Sequence, residues 1–320
     1  MCARFANRCA AGCLDPAGVR RVTPTGMLTV RADFGEGRLR HVEVDLRRPP
    51  VTQLFIGQSP EAVIRTVPCL YTICAQAQRV VAQAALAAAA GAAPQPADSA
   101  GLWTEMLHEN LWRLLLDWPP ALGLVPAPAA FIAWRATRQD GNGAEVTRRL
   151  LTDVLHGLAE NCLARLVDRN SDVPCGPAPL TPDEWLAGCR ESGDFLPAMS
   201  APPSIRAAYR QRIAEVERAT GALATGAPFP LAAAGGDGWG VAQTVTARGV
   251  LTHAVRLEAH TVRQYRVTAP TDVFFADAGA LSGLLDGRSF ASSNEAKRSL
   301  HLAVLALDPC LPYVLEVNDA

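Results

Sequence analysis

Two stretches near opposite ends of the chain carry cysteine beside helix signals. One is Pro68-Cys69-Leu70-Tyr71-Thr72-Ile73-Cys74. The other is Asp308-Pro309-Cys310-Leu311-Pro312-Tyr313. Asp308 reads as a helix cap and Pro309 as the first helical residue. That places Cys310 in a first turn, where the helix dipole and free N–H groups favour thiolate over thiol. Thiolates select soft or low-spin metals over magnesium or calcium. If the fold joins the two stretches, two or three thiolates converge on one point. Cys69 and Cys74 are too widely spaced for a zinc-knuckle C-x-x-C, so the residues alone leave three unrelated cysteines as the default. The chain has nine cysteines, an odd number that suits free thiols and metal ligands better than a disulfide framework. Cys2, Cys9 and Cys13 are irregularly spaced and read as incidental. Cys162 lies on an apolar helix face and reads as a small buried side chain.

The elements that must position these residues follow from periodicity and punctuation. Leu28, Val30 and Ala32 alternate with polar residues, Gly35-Glu36-Gly37 makes a turn, and Val42, Val44 and Leu46 alternate on the return strand. Arg47-Arg48-Pro49-Pro50 ends that hairpin. Ser59-Pro60-Glu61 starts a helix that Pro68 should break just before Cys69. A fresh helix is expected from about Tyr71 to Ala90, then an exposed loop over 91–101. Leu102 to Trp118 has strong helical spacing, with Pro119-Pro120 as its stop and loop over 121–130. Further helices are expected from Ala144 to Val167, from Thr181-Pro182 onward and from Ser204 to Thr220. Residues 224–240 read as glycine-rich loop. Strands are expected over 241–245, 249–257 and 261–267. Ser292 and Glu295 then open a helix marked by Leu300, Val304 and Leu307, which delivers the chain to Asp308. Residues 1–22 read as a poorly ordered tail and 23–320 as one domain.

Composition narrows the function classes. The 320 residues are 49% hydrophobic, which is enough for a full core. A net charge of -1 gives no electrostatic reason to expect nucleic acid or an anionic membrane, and 6% aromatic residues argue against base-stacking platforms. Residues 1–18 lack an apolar signal segment, and the apolar run from Val80 to Ala93 is too short to cross a bilayer. A cytoplasmic protein is expected.

Three motifs in order raise a resemblance. They are Tyr71-Thr72-Ile73-Cys74 with Gln78; Thr246-Ala247-Arg248-Gly249-Val250-Leu251-Thr252-His253, followed by Tyr265 and Ala269-Pro270-Thr271; and Asp308-Pro309-Cys310. Together they resemble the large subunit of nickel–iron hydrogenases. The resemblance implies an α+β, mainly helical bundle with small antiparallel β-hairpins and with the N- and C-terminal motifs meeting at one site. Of the four metal-binding cysteine positions, this chain has Tyr71, Cys74, Cys310 and Tyr313. Gln78 and Glu316 stand where histidines follow, and Thr25 stands where a glutamate passes protons. Tyrosine cannot replace thiolate at a soft nickel site, so neither nickel nor hydrogen turnover is expected, and the protein is read as not an enzyme. The iron side is kept: the resemblance implies that Arg248 and Thr271 donate hydrogen bonds to iron-bound cyanide, a strong acceptor.

This combination, with Leu111-Trp112-Arg113-Leu114-Leu115-Leu116-Asp117-Trp118-Pro119, resembles the HupK/HoxV group of hydrogenase assembly proteins. It implies a scaffold that transiently holds an Fe(CN)2(CO) fragment. The implied metal ligands are Cys74 and Cys310, with Cys69 as candidate third, and Arg248, Thr271 and Asp308 are expected to face the fragment. The implied partners are a HypC-type iron-carrying chaperone and the immature large subunit. The alternative is a metal-free, large-subunit-like chaperone or regulator. His253 reads as structural, Trp112 and Trp118 as core, and His108 with Glu109 as a solvated or partner-facing pair.

Overall fold

The computed structural model describes residues 26–319 apart from 94, 139–140, 167–178 and 192–199. Thr25 and the whole of the expected tail, residues 1–22 with Cys2, Cys9 and Cys13, lie outside the described residues. The chain opens with the expected hairpin, β1 (Met27–Gly35) and β2 (Arg38–Arg47), in antiparallel register with Leu28 opposite Leu46 and Val30 opposite Val44.

Helix α1 (Pro60–Leu70) starts on Ser59, whose Oγ accepts from Ala62 N. Pro68 does not break it. The proline sits in the last turn, where it forfeits one helical hydrogen bond, and Tyr71 N closes the end on Val67 O at 3.0 Å. Cys69 is therefore helical, and α2 (Ala75–Ala89) begins only after Cys74, its N-cap residue.

Helix α3 (Ser99–Trp112) passes through a wider π-type turn, Arg113–Asp117, into α4 (Trp118–Ala121). The two prolines expected to stop it occupy the first turn of α4, where missing N–H donors cost least. Such wide turns often sit at functional sites, and this one presents Arg113. The expected loop after it contains the start of α5 (Pro128–Thr137). Next come α6 (Gly143–Leu150), which runs through a second wide turn into α7 (His156–Arg165), then α8 (Pro182–Glu191) and α9 (Ile205–Thr225).

The region expected as glycine-rich loop instead holds β3 (Leu231–Gly236) and the start of β4 (Trp239–Thr246). With β5 (Gly249–Glu258) and β6 (Thr261–Thr268) these form an antiparallel sheet in sequence order. The glycines serve close approach. A Cβ on Gly240 would lie 2.1 Å from Ala85 O, and one on Gly235 would lie 2.2 Å from Ala88 O. The alanine-rich face of α2 thus sits directly on the sheet, which fixes the helix that begins at Cys74.

Helices α10 (Pro270–Phe274), α11 (Gly279–Leu285) and α12 (Ser293–Leu307) lead to a last strand, β7 (Tyr313–Asp319). This strand was not anticipated. It pairs in parallel with β1, Leu28 opposite Tyr313 and Val30 opposite Leu315, and so ties the two ends of the chain together. One continuous core joins the hairpin, helices and sheet through residues such as Val30, Val81, Leu111, Trp118, Val255 and Leu300. Trp118 and Cys162 are buried as expected, whereas Trp112 is 40% exposed.

Candidate metal-binding site

Cys310 does not begin a helix. Asp308 ends α12 with φ 47°, a left-handed conformation that Asp tolerates better than most residues, and the chain runs on through Pro312 into β7, with Leu28 N donating to Pro312 O. Support for the Cys310 sulfur comes from side chains instead. Arg48 Nη2 donates to it at 3.0 Å and Thr271 Oγ1 at 3.3 Å, while Cys310 N donates back to Thr271 Oγ1. Arg48 is held in turn by Asp272, Nε to Oδ1 at 3.1 Å. From the sequence, Arg48 reads only as the end of a strand.

Asp308 has a different task from capping a following helix. It is 1% exposed. Arg113 Nε donates to its Oδ1 at 2.6 Å, and Arg212 Nη2 and Arg248 Nε stand 2.8 and 3.3 Å from its Oδ2. Burial alone would raise its pKa, but the three guanidiniums outweigh it and hold the carboxyl well below the usual range. Arg113 also pairs with Asp117, and Arg248 Nη2 donates to Glu109 Oε2 at 2.9 Å. Three cations (Arg113, Arg212, Arg248) thus face three carboxylates (Asp308, Glu109, Asp117). Arg248 Nη1 is buried with no hydrogen-bond partner, an unmet donor inside a site where most donors are paired.

Cys74 lies at the head of α2, whose first N–H groups are capped from a distance: Glu105 accepts from Gln76 N and Ala77 N at 2.8 and 2.9 Å. Gln78 Nε2 donates to Cys74 Sγ at 3.7 Å, and its Oε1 lies 2.8 Å from His253 Nε2. The amide oxygen can only accept, so the imidazole proton belongs on Nε2 and Nδ1 accepts from Tyr265 O–H at 2.8 Å. Burial depresses the His253 pKa to about 3, so the ring is neutral and satisfied. The Cys74 thiol is pushed up to about 12, first by burial and then by the neighbouring Cys310, with Arg248 pulling the other way. The two thiols therefore face one interior but are unequal: Cys310 carries a guanidinium donor and Cys74 an amide.

Cys69 does not join them. It is exposed on α1, with Sγ 3.6 Å from Arg65 O. Tyr71 borders the site with its phenol pushed to about 12 by burial, and the Tyr313 hydroxyl is hydrogen-bonded to His301 Nε2 at 2.9 Å. Glu316 pairs with Arg31. Among the described residues no three His, Cys, Asp or Glu side chains gather as a metal-holding group. The chain brings together two thiols with Arg48, Arg248, Thr271 and Asp308. Arg113 and Arg212 belong to the same cluster and were not singled out by sequence, because nothing local marks an arginine whose partner is 195 or 96 residues away.

Comparison with known proteins gives this arrangement a context. The chain is 31% identical to the "Hydrogenase expression/formation protein HupK" of Azotobacter vinelandii over 92% of its length and 99% of that protein's. It is 26% identical to the "Hydrogenase expression/formation protein HoxV" of Cupriavidus necator, over 94% and 98%. The chain belongs to the HupK/HoxV family of hydrogenase expression/formation proteins. No protein-family model matches it. Among solved structures, the Ni-Fe-Se hydrogenase from D. vulgaris Hildenborough in the reduced state aligns over 87% of this chain and 94% of that one, with a TM-score of 0.60 at 11% identity. The fold is that of hydrogenase large subunits. This chain thus combines such a fold with tyrosine, Tyr71 and Tyr313, at two of the four positions where the sequence resemblance places metal-binding cysteines. No helix among the described residues is long and apolar enough to cross a membrane.

Proposed function

We propose that this protein is a non-catalytic scaffold in nickel–iron hydrogenase maturation, which holds the Fe(CN)2(CO) fragment between delivery and transfer. The cargo is a substrate to be passed on. The observation that carries the reading is the unpartnered, buried Nη1 of Arg248 beside two free thiols. Cyanide nitrogen is the kind of acceptor that a buried guanidinium lacks here, and charge-assisted bonds of this type are the strong ones. Cys74 and Cys310 would supply sulfur to iron; the diatomic ligands would supply the remainder of a shell that the protein does not provide. Thr271 would turn its hydroxyl from Cys310 to the cargo. Asp308 anchors the three arginines. Tyr71 and Tyr313 give nickel no thiolate. On this reading the partners are a HypC-type iron-carrying chaperone and the immature large subunit, and the protein works in the cytoplasm.

The test is an infrared spectrum of protein purified anaerobically from cells that build the iron centre. Bands in the cyanide and carbonyl region are expected, and they should vanish in the Cys74→Ala and Cys310→Ala variants. Their persistence in the double variant would end the proposal. A second reading, a metal-free chaperone, draws on the saturation of Cys310: Arg48 and Thr271 already bond its sulfur. A blank spectrum in protein that still binds the large subunit, with binding indifferent to both cysteines, would favour it.

A further inference from the structure

Two cavities lie back to back at Arg248. The outer one is an open cleft of about 310 Å³ between the head of α2 and helix α3, bordered by Ile73, Gln76, Thr104 and Trp112. The inner one, of about 10 Å³, is lined by Cys74 with Leu102, Met106 and Val245. Glu105, Glu109 and Arg248 line both, so these three side chains form the wall between them. The inner space is about one probe sphere, room for a water at most. An iron carrying two cyanides and a carbonyl cannot reach Cys74 through this side unless the wall moves.

The three side chains differ in what their movement would break. Glu105 caps two backbone N–H groups of α2, so displacing it would loosen the helix that carries Cys74. Glu109 is held by side chains: Arg248 Nη2 at 2.9 Å and His108 Nδ1 at 3.0 Å. Burial opposes its ionisation, but His108 and Arg248 outweigh that and keep its carboxyl below the ordinary value, so the contact is an ion pair. Arg248 has a further anchor in Asp308, about which it can turn without losing its counter-charge. The mouth of the cleft is flanked by Ile73 and Trp112, 39% and 40% exposed.

We propose that this cleft is the loading port of the cysteine site and that the Arg248–Glu109 pair is its latch. The inference rests on the iron-cargo reading for its occupant, a small cyanide-bearing iron unit. When Nη2 leaves Glu109, both terminal nitrogens of Arg248 become free donors while Asp308 retains the guanidinium. Opening the wall and gripping the cyanide nitrogens are then one movement, which couples loading to recognition of the correct cargo.

The test uses the full-length protein without cargo. Iodoacetamide labelling of Cys74 is timed at one fixed pH by peptide mass spectrometry, with Cys310 in the same digest as reference. Glu109→Gln removes the counter-charge and leaves a weaker guanidinium–amide contact, and Cys74 labelling should rise about fivefold with Cys310 unchanged. Thr104→Trp fills the cleft from its α3 side, and Cys74 labelling should fall below that of the wild type. The proposal is overturned if neither variant moves the Cys74 rate, or if Cys310 changes in step with it. Because the assay reads a thiol in empty protein, its failure leaves the infrared question standing, and a blank spectrum leaves the port standing as a route for small molecules.

Discussion

Replacing Asp308 by Asn separates charge from conformation at the centre of the arginine cluster. The left-handed backbone, φ 47°, suits Asn as well as Asp, so the exit from α12 towards Cys310 should survive. The variant loses the carboxylate that Arg113, Arg212 and Arg248 share. Of the direct ion pairs of these three cations, only Arg113–Asp117 and Arg248–Glu109 would remain, with Glu215 acting on Arg212 from farther away. Arg113 keeps Asp117 and Pro309 O, and Arg248 keeps Glu109. Arg212 is left with Asn110 Oδ1 at 3.1 Å and Ala247 O at 3.5 Å. Removing one partner of a buried ion pair costs about 3–5 kcal/mol; because two of the three arginines retain a carboxylate, the lower end, about 3 kcal/mol, is expected. Asp308→Ala should cost a further 1–2 kcal/mol or so, the left-handed penalty. Urea unfolding followed by far-ultraviolet circular dichroism measures both, read at constant m-value. The folded pKa of Asp308 is depressed, so its stabilisation is complete above the ordinary Asp value of about 3.9 and is lost as pH falls below it. The cost of Asp308→Asn should therefore be equal at pH 7 and pH 5.5. An Asn variant within about 1 kcal/mol of wild type, or an Ala variant no worse than Asn, would refute the reasoning.

The buried, neutral His253 makes stability fall with acid. Its pKa is depressed to about 3 in the folded chain against about 6.5 unfolded, so it should remove about 2 kcal/mol between pH 7 and pH 5. His253→Gln should flatten the urea-midpoint slope over that window by this amount, and equal slopes would show that the ring does not titrate between the two states. Gly240→Ala drives a Cβ into Ala85 O at 2.1 Å and Ala89 N at 2.5 Å; overpacking of this kind costs about 1–3 kcal/mol. Gly221→Ala, inside α9 with nothing within 4 Å, should stabilise by about 0.5–1 kcal/mol. A thermal-melt comparison that gives both alanines the same sign would contradict the close packing of α2 on the sheet.

What could be read from the sequence was what local chemistry specifies. The first hairpin, the amphipathic helices and three of the strands follow from alternation and caps, whereas a shared site for Cys74 and Cys310 is implied only by the family resemblance. The errors share one cause. Pro68 and Pro119-Pro120 are helix breakers in general, but their cost depends on which turn they occupy, and end turns and a π-type turn absorb them here. Strand β3 looks like a loop because of its glycines, yet Gly235 is there for α2 to approach and Gly236 lies against the Arg190 guanidinium of α8, neither serving a turn. Asp308 looks like an N-cap because Asp-Pro usually is one, yet its carboxylate is bonded by residues 195, 96 and 60 positions away. Strand β7 exists because β1 offers it a parallel edge at the far end of the chain. Arg48 belongs to the site for the same reason: the β1–β7 pairing carries the segment before Tyr313 past the end of β2, and the guanidinium that terminates one strand becomes the donor to the thiol that precedes another. The fold thus uses its longest-range pairing to convert two separately weak cysteine signals into one arginine-supported site. For that reason, damage to the β1–β7 pairing should disturb Cys310 before it disturbs Cys74, which is held by α2 and the second sheet.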